Sequence, residues 1–453
     1  MPQNLPLQSA SPGHRPLSPQ RFPAQACKAA FVDDAKGTLT LRNYYMQRNM
    51  VDRATMGKRE EWAQGFILDL ESGYTEGPVF GIDVRGLWAL KLDGGKGTAG
   101  TELLPVHDDG RPADDFGRVA VAGKLRFSKT ELKIGEWSPP LPILNANDGR
   151  VLPQTFQGGM LTVKEIPHFS FYGGQMRATS PRNDASMQNM SLNGSPEATS
   201  DRYNFGGVEY GFNDNRTTVG AWFGQLEDIY KQRYFEIRHL QPLGKDWSLS
   251  SRVGLFDGEE DGRGEAGALD NRTLTGLFAL KTGANTFTFA FQRLTGDDRW
   301  LRLNGAIASM LPNDVFTSSF DNAREESWQL RHDYNFAAFG LPGLTFMSRY
   351  ISGKNVHTAT VSDGEEWSRE NEVAYVVQSG KLKNLSMRWR NSSRRADWGS
   401  NNKLRGEPAD RPVPDVAVLG VLCVTITIPP PELGDGEEWN RETQPSRVGR
   451  RRS

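Results

Sequence analysis

Along most of the chain, apolar and polar residues alternate with a period of two. In TFTFAFQ (286–292), Phe287, Phe289 and Phe291 fall on one face and Thr288, Ala290 and Gln292 on the other. LSMRWRNS (385–392) sets Leu385, Met387 and Trp389 against Ser386, Arg388, Arg390 and Ser392, and VAGKLRF (121–127) sets Leu125 and Phe127 against Lys124 and Arg126. Successive side chains of a strand point to opposite faces, so each segment predicts a strand with one apolar and one polar face. Helical periodicity is nearly absent. No window supplies the roughly 18 to 20 consecutive apolar residues that a membrane helix needs. If the chain spans a membrane it must do so as a closed barrel, the other structure that satisfies every backbone amide in hydrocarbon.

A soluble sandwich would bury the apolar faces against a second sheet, whereas a membrane barrel turns them to lipid and its charged faces inward. Arginines in mid-strand opposite bulky apolar residues favour the water-filled lumen. Tyr350, Tyr375, Trp389 and Trp222 lie beside turn signals, as girdles at the two membrane interfaces require. Connections alternate in length, another barrel trait. The short ones are Gly283-Ala284-Asn285, Pro242 to Asp246 and Leu341-Pro342-Gly343; the long ones run from Gly94 to Asp115, Ser138 to Gln157, Arg177 to Arg202, Gly258 to Asn271 and Gly296 to Glu325. At roughly 20 residues per strand and connection, the span 31–398 holds about 18 strands. The expected fold is all-β: a transmembrane antiparallel barrel with inward-folded constriction loops.

Composition narrows the function classes. A formal net charge of −1 gives no support for nucleic-acid binding, which calls for a basic excess. The six histidines are scattered, without the pairing of a metal site, and neither a G-x-S-x-G elbow nor a phosphate-binding glycine loop precedes a helix. Hence no catalytic residue, metal or cofactor is expected. Both cysteines, Cys27 and Cys423, fall outside the central region.

Several stretches resemble the OprD family of substrate-specific outer-membrane porins. They are FVDDAKGTLTLRNYY (31–45), KTELKIGEW (129–137), NDGRVLPQTFQGG (147–159), LEDIYKQRYF (226–235), FQRLTGDDRW (291–300), ESWQLRHDYNFAAFGLPGLTFMSRY (326–350) and AYVVQSGKLKNLSMRWRN (374–391), spread in order along most of the chain. The resemblance implies an eighteen-stranded barrel in the bacterial outer membrane, isolated as weak homo-trimers or monomers and narrowed by extracellular loops. It also implies a ladder of Arg and Lys that draws in anionic or zwitterionic solutes: amino acids, aromatic acids or carbapenem-like antibiotics. Some porins of this family have been proposed to have serine-peptidase activity, but no triad is assignable here. A soluble β-rich binding protein is the remaining rival.

Alternation places the ladder. Arg388 and Arg390 lie opposite Leu385, Met387 and Trp389; Arg349 in LTFMSRY lies opposite Phe346 and Tyr350; Arg42 in LTLRNYY, Lys124 and Arg126 follow by the same parity. A planar guanidinium fork can pass a carboxylate along by successive bidentate hydrogen bonds. The rival explanation is that a wet lumen needs polar side chains of any kind. The constriction is expected from Ser138 to Gln157, stiffened by Pro139, Pro140, Pro142 and Pro153, with Asp148 and Arg150 as its charged members. Asp297 and Asp298 would supply a facing acidic wall and a transverse field that orients zwitterions.

The ends depart from this pattern, which divides the chain into an atypical segment 1–30, the barrel 31–398 and an atypical tail 399–453. Ala24-Gln25-Ala26 resembles a signal-peptidase site, but the residues before it lack the apolar run of an export signal, as a misframed signal peptide would. Past Trp398 no amphipathic strand ending in an aromatic residue appears, the feature read by the barrel assembly machinery. Val424 to Ile428 imitates a strand but runs at once into Pro429, Pro430 and Pro431, as a second frame change would.

Overall fold

In the computed structural model, described for residues 31–32, 34–50, 57–75, 79–307, 310–398 and 417–428, eighteen antiparallel strands form one sheet. It closes where the first strand, Lys36–Met50, pairs with the last, Ala417–Ile428. Segment 1–30, with Cys27, lies outside the described residues. Closure removes the free edge amides that hydrocarbon could not satisfy.

The alternation is realised strand by strand. On Asn285–Thr295, Thr288, Ala290 and Gln292 are buried inside while Phe287 and Phe289 are half exposed outside. On Ser386–Ala396, Met387 and Trp389 are exposed outside and Ser392 is buried within. Tight turns use residues suited to them: Gly283, between Asp270–Thr282 and Asn285–Thr295, has φ 55°, a left-handed value that glycine adopts without strain.

Two expectations are corrected. The strand that closes the barrel lies beyond residue 398, within the segment set apart as a tail. AVLGVLCVTITI is rich in β-branched residues and needs no alternation to pair on both sides, with Leu39–Met50 and with Ser386–Arg394. Three prolines follow Ile428 in the sequence, and proline cannot donate to a ladder. Trp222 is no girdle residue: it points inward, buried in mid-strand, with its ring 5.0 Å from that of Tyr172. The outward rings include Tyr350, Tyr375 and Trp389.

Core packing lies inside the barrel, where the long loops fold in. Val151 and Leu152 are fully buried in a cluster with Tyr44, Met46, Leu103 and Leu104 of the wall and a neighbouring loop. Burying a side chain of this size contributes about 2 kcal/mol, enough to hold the loop against the wall. Elsewhere the wall itself is tight. Gly135 has φ 137°, and a Cβ there would strike the backbone of Val121 and Ala122 on the adjoining strand. Gly135→Ala is therefore expected to cost roughly 1–3 kcal/mol or more. The variant should show a smaller fraction of compact, heat-modifiable barrel on unboiled gels than the parent.

Candidate functional site

Two long loops meet in the lumen. The first follows Thr130–Trp137: its prolines set a short hairpin, Pro140–Leu141 against Leu144–Asn145, and Ala146 donates its amide to the Pro139 carbonyl at 3.0 Å. It is tied to the wall by Tyr203, whose hydroxyl donates to the Ile143 carbonyl at 2.9 Å, and by Tyr44, whose hydroxyl donates to that of Gly149 at 3.1 Å. Beyond the hairpin, Asn147 accepts the Gly149 amide at 2.9 Å, a side-chain turn that presents Asp148. The second loop spans 296–325 and turns inward at 314–319. There the Phe316 amide donates to Glu370 at 3.0 Å and the Ser318 hydroxyl donates to Glu366 at 3.0 Å.

Between the loops and the wall lies a cavity of about 730 Å³. Seven arginines border it, Arg42, Arg150, Arg182, Arg302, Arg349, Arg388 and Arg390, against two acidic residues, Asp148 and Asp314. Register explains how so many cations coexist. Arg349 lies opposite Glu370 and Arg390 opposite Glu372, so each cation has a carboxylate one strand away. Arg349 Nε donates to Glu370 at 2.8 Å with both side chains buried. Arg390 Nε donates to Glu372 at 2.6 Å, and Arg388 stands 3.6 Å from the same carboxylate. Side-chain exposure rises from 8% at Arg349 through 23% at Arg390 to 44% at Arg388, so Arg388 has the most donor surface left for a solute. The Phe316 ring lies between Arg349 and Arg390, 4.7 and 4.3 Å from their guanidinium carbons. Cation–π attraction holds both arginines to the loop tip.

The expected ladder residues divide between two places. Arg42 joins Arg349, Arg388 and Arg390 at the cavity, where it bridges to Asp148 at 2.6 Å and donates to the Arg150 carbonyl at 2.8 Å. Lys124 and Arg126 lie elsewhere, in a separate cavity of about 660 Å³ beside the turn ends of the strands. Lys124 pairs with Asp83 at 2.6 Å, and the Arg126 guanidinium stacks 3.8 Å from the Tyr74 ring.

Of the constriction acids, Asp148 reaches the cavity, but Asp297 and Asp298 do not line it. Asp297 pairs with Arg324 and Asp298 accepts the Asp270 amide at 2.8 Å, so both brace the outer part of their loop. The inward limb is some fifteen residues further along. Periodicity also missed Glu370 and Glu372, because SRENEV is polar on both faces and gives no parity. Arg182 and Arg302 sit in loops, where alternation has nothing to say.

Arg150 turns away from the solute space. Its Nε donates to the Thr101 carbonyl at 2.9 Å and its fork lies 3.7 Å from Glu102, which also pairs with Arg182. Burial pushes the Glu102 carboxyl up, but the Arg182 and Arg150 guanidiniums outweigh it and hold the group below its ordinary range. A carboxyl lowered in the fold stabilises above its unfolded pKa, and that contribution is lost as pH falls through the folded value. Acidification below the ordinary range, about pH 4, should therefore free both arginines and loosen the loop. Open-channel noise should rise over that window, and Glu102→Gln should show the raised noise already at neutral pH.

The family model for "outer membrane porin, OprD family" matches residues 29–407. The chain is 61% identical to the porin-like protein GalP of Pseudomonas putida over 384 residues, covering 84% of this chain and 92% of that protein. Among solved structures, a BenF-like porin from Pseudomonas fluorescens Pf-5 superposes with a TM-score of 0.84 at 55% identity, over 88% of this chain and all of that one. OpdK of Pseudomonas aeruginosa, solved with vanillate, superposes with a TM-score of 0.81 at 42% identity, again over 88% of this chain and 100% of its own. A closed barrel of eighteen strands, apolar outside and narrowed by loops within, thus has porins as its relatives in both sequence and structure, and this chain belongs to the OprD family of outer-membrane porins.

Proposed function

We propose that this porin is a passive, solute-selective diffusion channel for small carboxylate-bearing molecules, among them aromatic acids, amino acids and carbapenem-like antibiotics. The single observation that carries this reading is the excess of arginines, seven against two acidic residues, around the cavity between the loops and the wall. A pore must attract its solute without trapping it. Arg388, Arg390 and Arg349 form a graded series in which each guanidinium is partly occupied by a carboxylate of the wall, so a passing solute exchanges with an existing partner. Arg42, held by Asp148 from the loop, would take the solute on the facing side, and the Lys124 and Arg126 cluster would receive it further along. Asp148 and Asp314 would orient the ammonium group of a zwitterion. OpdK was solved with vanillate, an aromatic carboxylate, which agrees with this chemistry.

The barrel would be inserted by the assembly machinery, surrounded by outer-membrane lipid, and would sit there as a loose three-copy assembly. The test is single-channel recording in a planar bilayer with a panel of solutes. Vanillate and benzoate should interrupt the ionic current at concentrations where vanillyl alcohol and benzyl alcohol do not. Equal interruption by acid and alcohol would sink the proposal.

A further inference from the structure

Five neighbouring strands change from apolar to charged at one level of the outer wall. Along each, towards its long-loop end, Phe235 gives way to Arg233, Leu255 to Asp257, Leu274 to Arg272, Phe291 to Arg293 and Trp328 to Glu326. The residues between them, Tyr234, Phe256, Thr273, Gln292 and Ser327, are buried inside, so the charged row faces out. The long loops of an outer-membrane barrel are extracellular, and the row therefore marks the outer interface of the bilayer.

The row is not evenly neutralised. Register sets Asp257 between Arg233 and Arg272, and Glu326 between Arg293 and Lys354. Each carboxylate draws its arginine to one side: Arg272 donates to Asp257 at 3.0 Å, and Arg293 Nε stands 3.0 Å from Glu326 in the other direction. Between the two arginines there is no carboxylate. Arg272 lies opposite Thr295 and Arg293 opposite Leu274, so they are diagonal neighbours, about 7–8 Å apart across the ladder. Their side chains are 65% and 63% exposed, and among the described residues neither Nη1 of Arg272 nor either Nη of Arg293 makes a hydrogen bond. Asp270, the next outward acid along the strand, forms no ion pair with either among those residues. Two free guanidinium forks thus face one gap, an arrangement that suits a phosphate, which can accept from both while each arginine keeps its carboxylate.

Below the gap the wall is apolar and recessed. Gly276 has no side chain, and the Phe291 ring occupies the space that a Cβ would take. Phe289, four residues along the strand from Arg293, opens an outward groove of about 1000 Å³ walled also by Phe278, Phe287, Leu330 and Tyr350, with Arg369 on its far side. An anion bracket at the interface therefore stands over a groove for hydrocarbon. Inorganic phosphate would use only the first part. The outer leaflet of a bacterial outer membrane supplies a ligand with both, a phosphorylated and multiply acylated glycolipid. We propose that Arg272 and Arg293 bind a phosphate of this glycolipid and that the groove beneath takes one of its acyl chains, so that the porin carries a specific lipid site on its outer wall, separate from the solute path.

The test titrates purified lipid A, carrying both phosphates, into the detergent-solubilised full chain and follows binding by native mass spectrometry. The Arg272→Gln and Arg293→Gln double variant should bind about tenfold more weakly than the parent. Arg233→Gln should bind at the parent level, because Arg233 is already held by Asp257 at 3.1 Å and by Glu259 at 3.2 Å. An unchanged double variant, or an equal loss in Arg233→Gln, would overturn the proposal. A second comparison needs no variant: the parent should bind dephosphorylated lipid A about tenfold more weakly than the phosphorylated form, and equal binding of the two would refute a phosphate bracket. Inorganic phosphate should fail to displace bound lipid A; displacement at equal concentration would mean a plain anion site and count against the groove. Single-channel conductance should keep the parent value in the double variant, since both arginines face away from the lumen.

Discussion

Replacing Arg388 and Arg390 together with alanine is expected to raise the vanillate concentration needed for half-interruption of the current by roughly 10- to 100-fold. Each lost charge-assisted hydrogen bond to a carboxylate is worth about 1.5–3 kcal/mol in a partly desolvated site, discounted here by solvent screening because Arg388 is nearly half exposed. The pair also balances Glu372, so the double variant leaves that carboxylate facing the solute path and adds repulsion to lost attraction. Arg388→Ala alone should produce most of the change, since Arg390 is more fully engaged with Glu372 and Phe316. Solute titration on single channels measures this. Retention of the parent response in the double variant would remove the arginine track from the account.

The second large effect is expected at Glu370. This buried carboxylate accepts from Arg349 at 2.8 Å, from the Phe316 amide at 3.0 Å and from the Ser392 hydroxyl at 3.1 Å, so one side chain joins two wall strands to the inward limb of the second loop. Glu370→Ala leaves the Arg349 guanidinium buried without its partner, a change that costs about 3–5 kcal/mol. The barrel should unfold at a lower temperature on heat-modifiability gels. The loop, released from Glu370, should no longer narrow the lumen, so conductance should rise severalfold and become noisy. The two consequences separate in a second variant. Arg349→Met combined with Glu370→Met removes both charges and should recover much of the thermal stability, while conductance stays high because the Phe316 amide still lacks its acceptor. A double variant with restored stability and parent conductance would show that the loop is held by something else.

These effects bear on how much could be read from the chain alone. Alternation gave the wall because a membrane barrel makes its two faces chemically opposite, as Phe287 and Thr288 show. Where both faces are polar the signal vanishes, and Gly364–Val376 is the clearest case. There Glu370 and Glu372 serve the lumen while Arg369 and Asn371 face out, and no parity rule can sort SRENEV. Trp222 misled for the opposite reason, since an inward-folded loop creates an apolar interior that a simple water-filled tube would not have. The closing strand was hidden by composition: its pairing with Leu39–Met50 is a contact across most of the chain length. Loop tips were the least legible. The prolines of 138–153 fall in a loop that packs inside the barrel, but nothing local distinguishes the inward limb at Phe316 from the outer limb at Asp297.

The most direct test of the account is a reversal-potential measurement across a planar bilayer with a gradient of potassium benzoate. A lumen whose loop-walled cavity is bordered by seven arginines and two acidic residues should pass benzoate in preference to potassium. The account predicts a reversal potential with the sign of anion transport, shifting towards zero in the Arg388→Ala and Arg390→Ala double variant. A potential with the sign of potassium transport in the parent channel would contradict it.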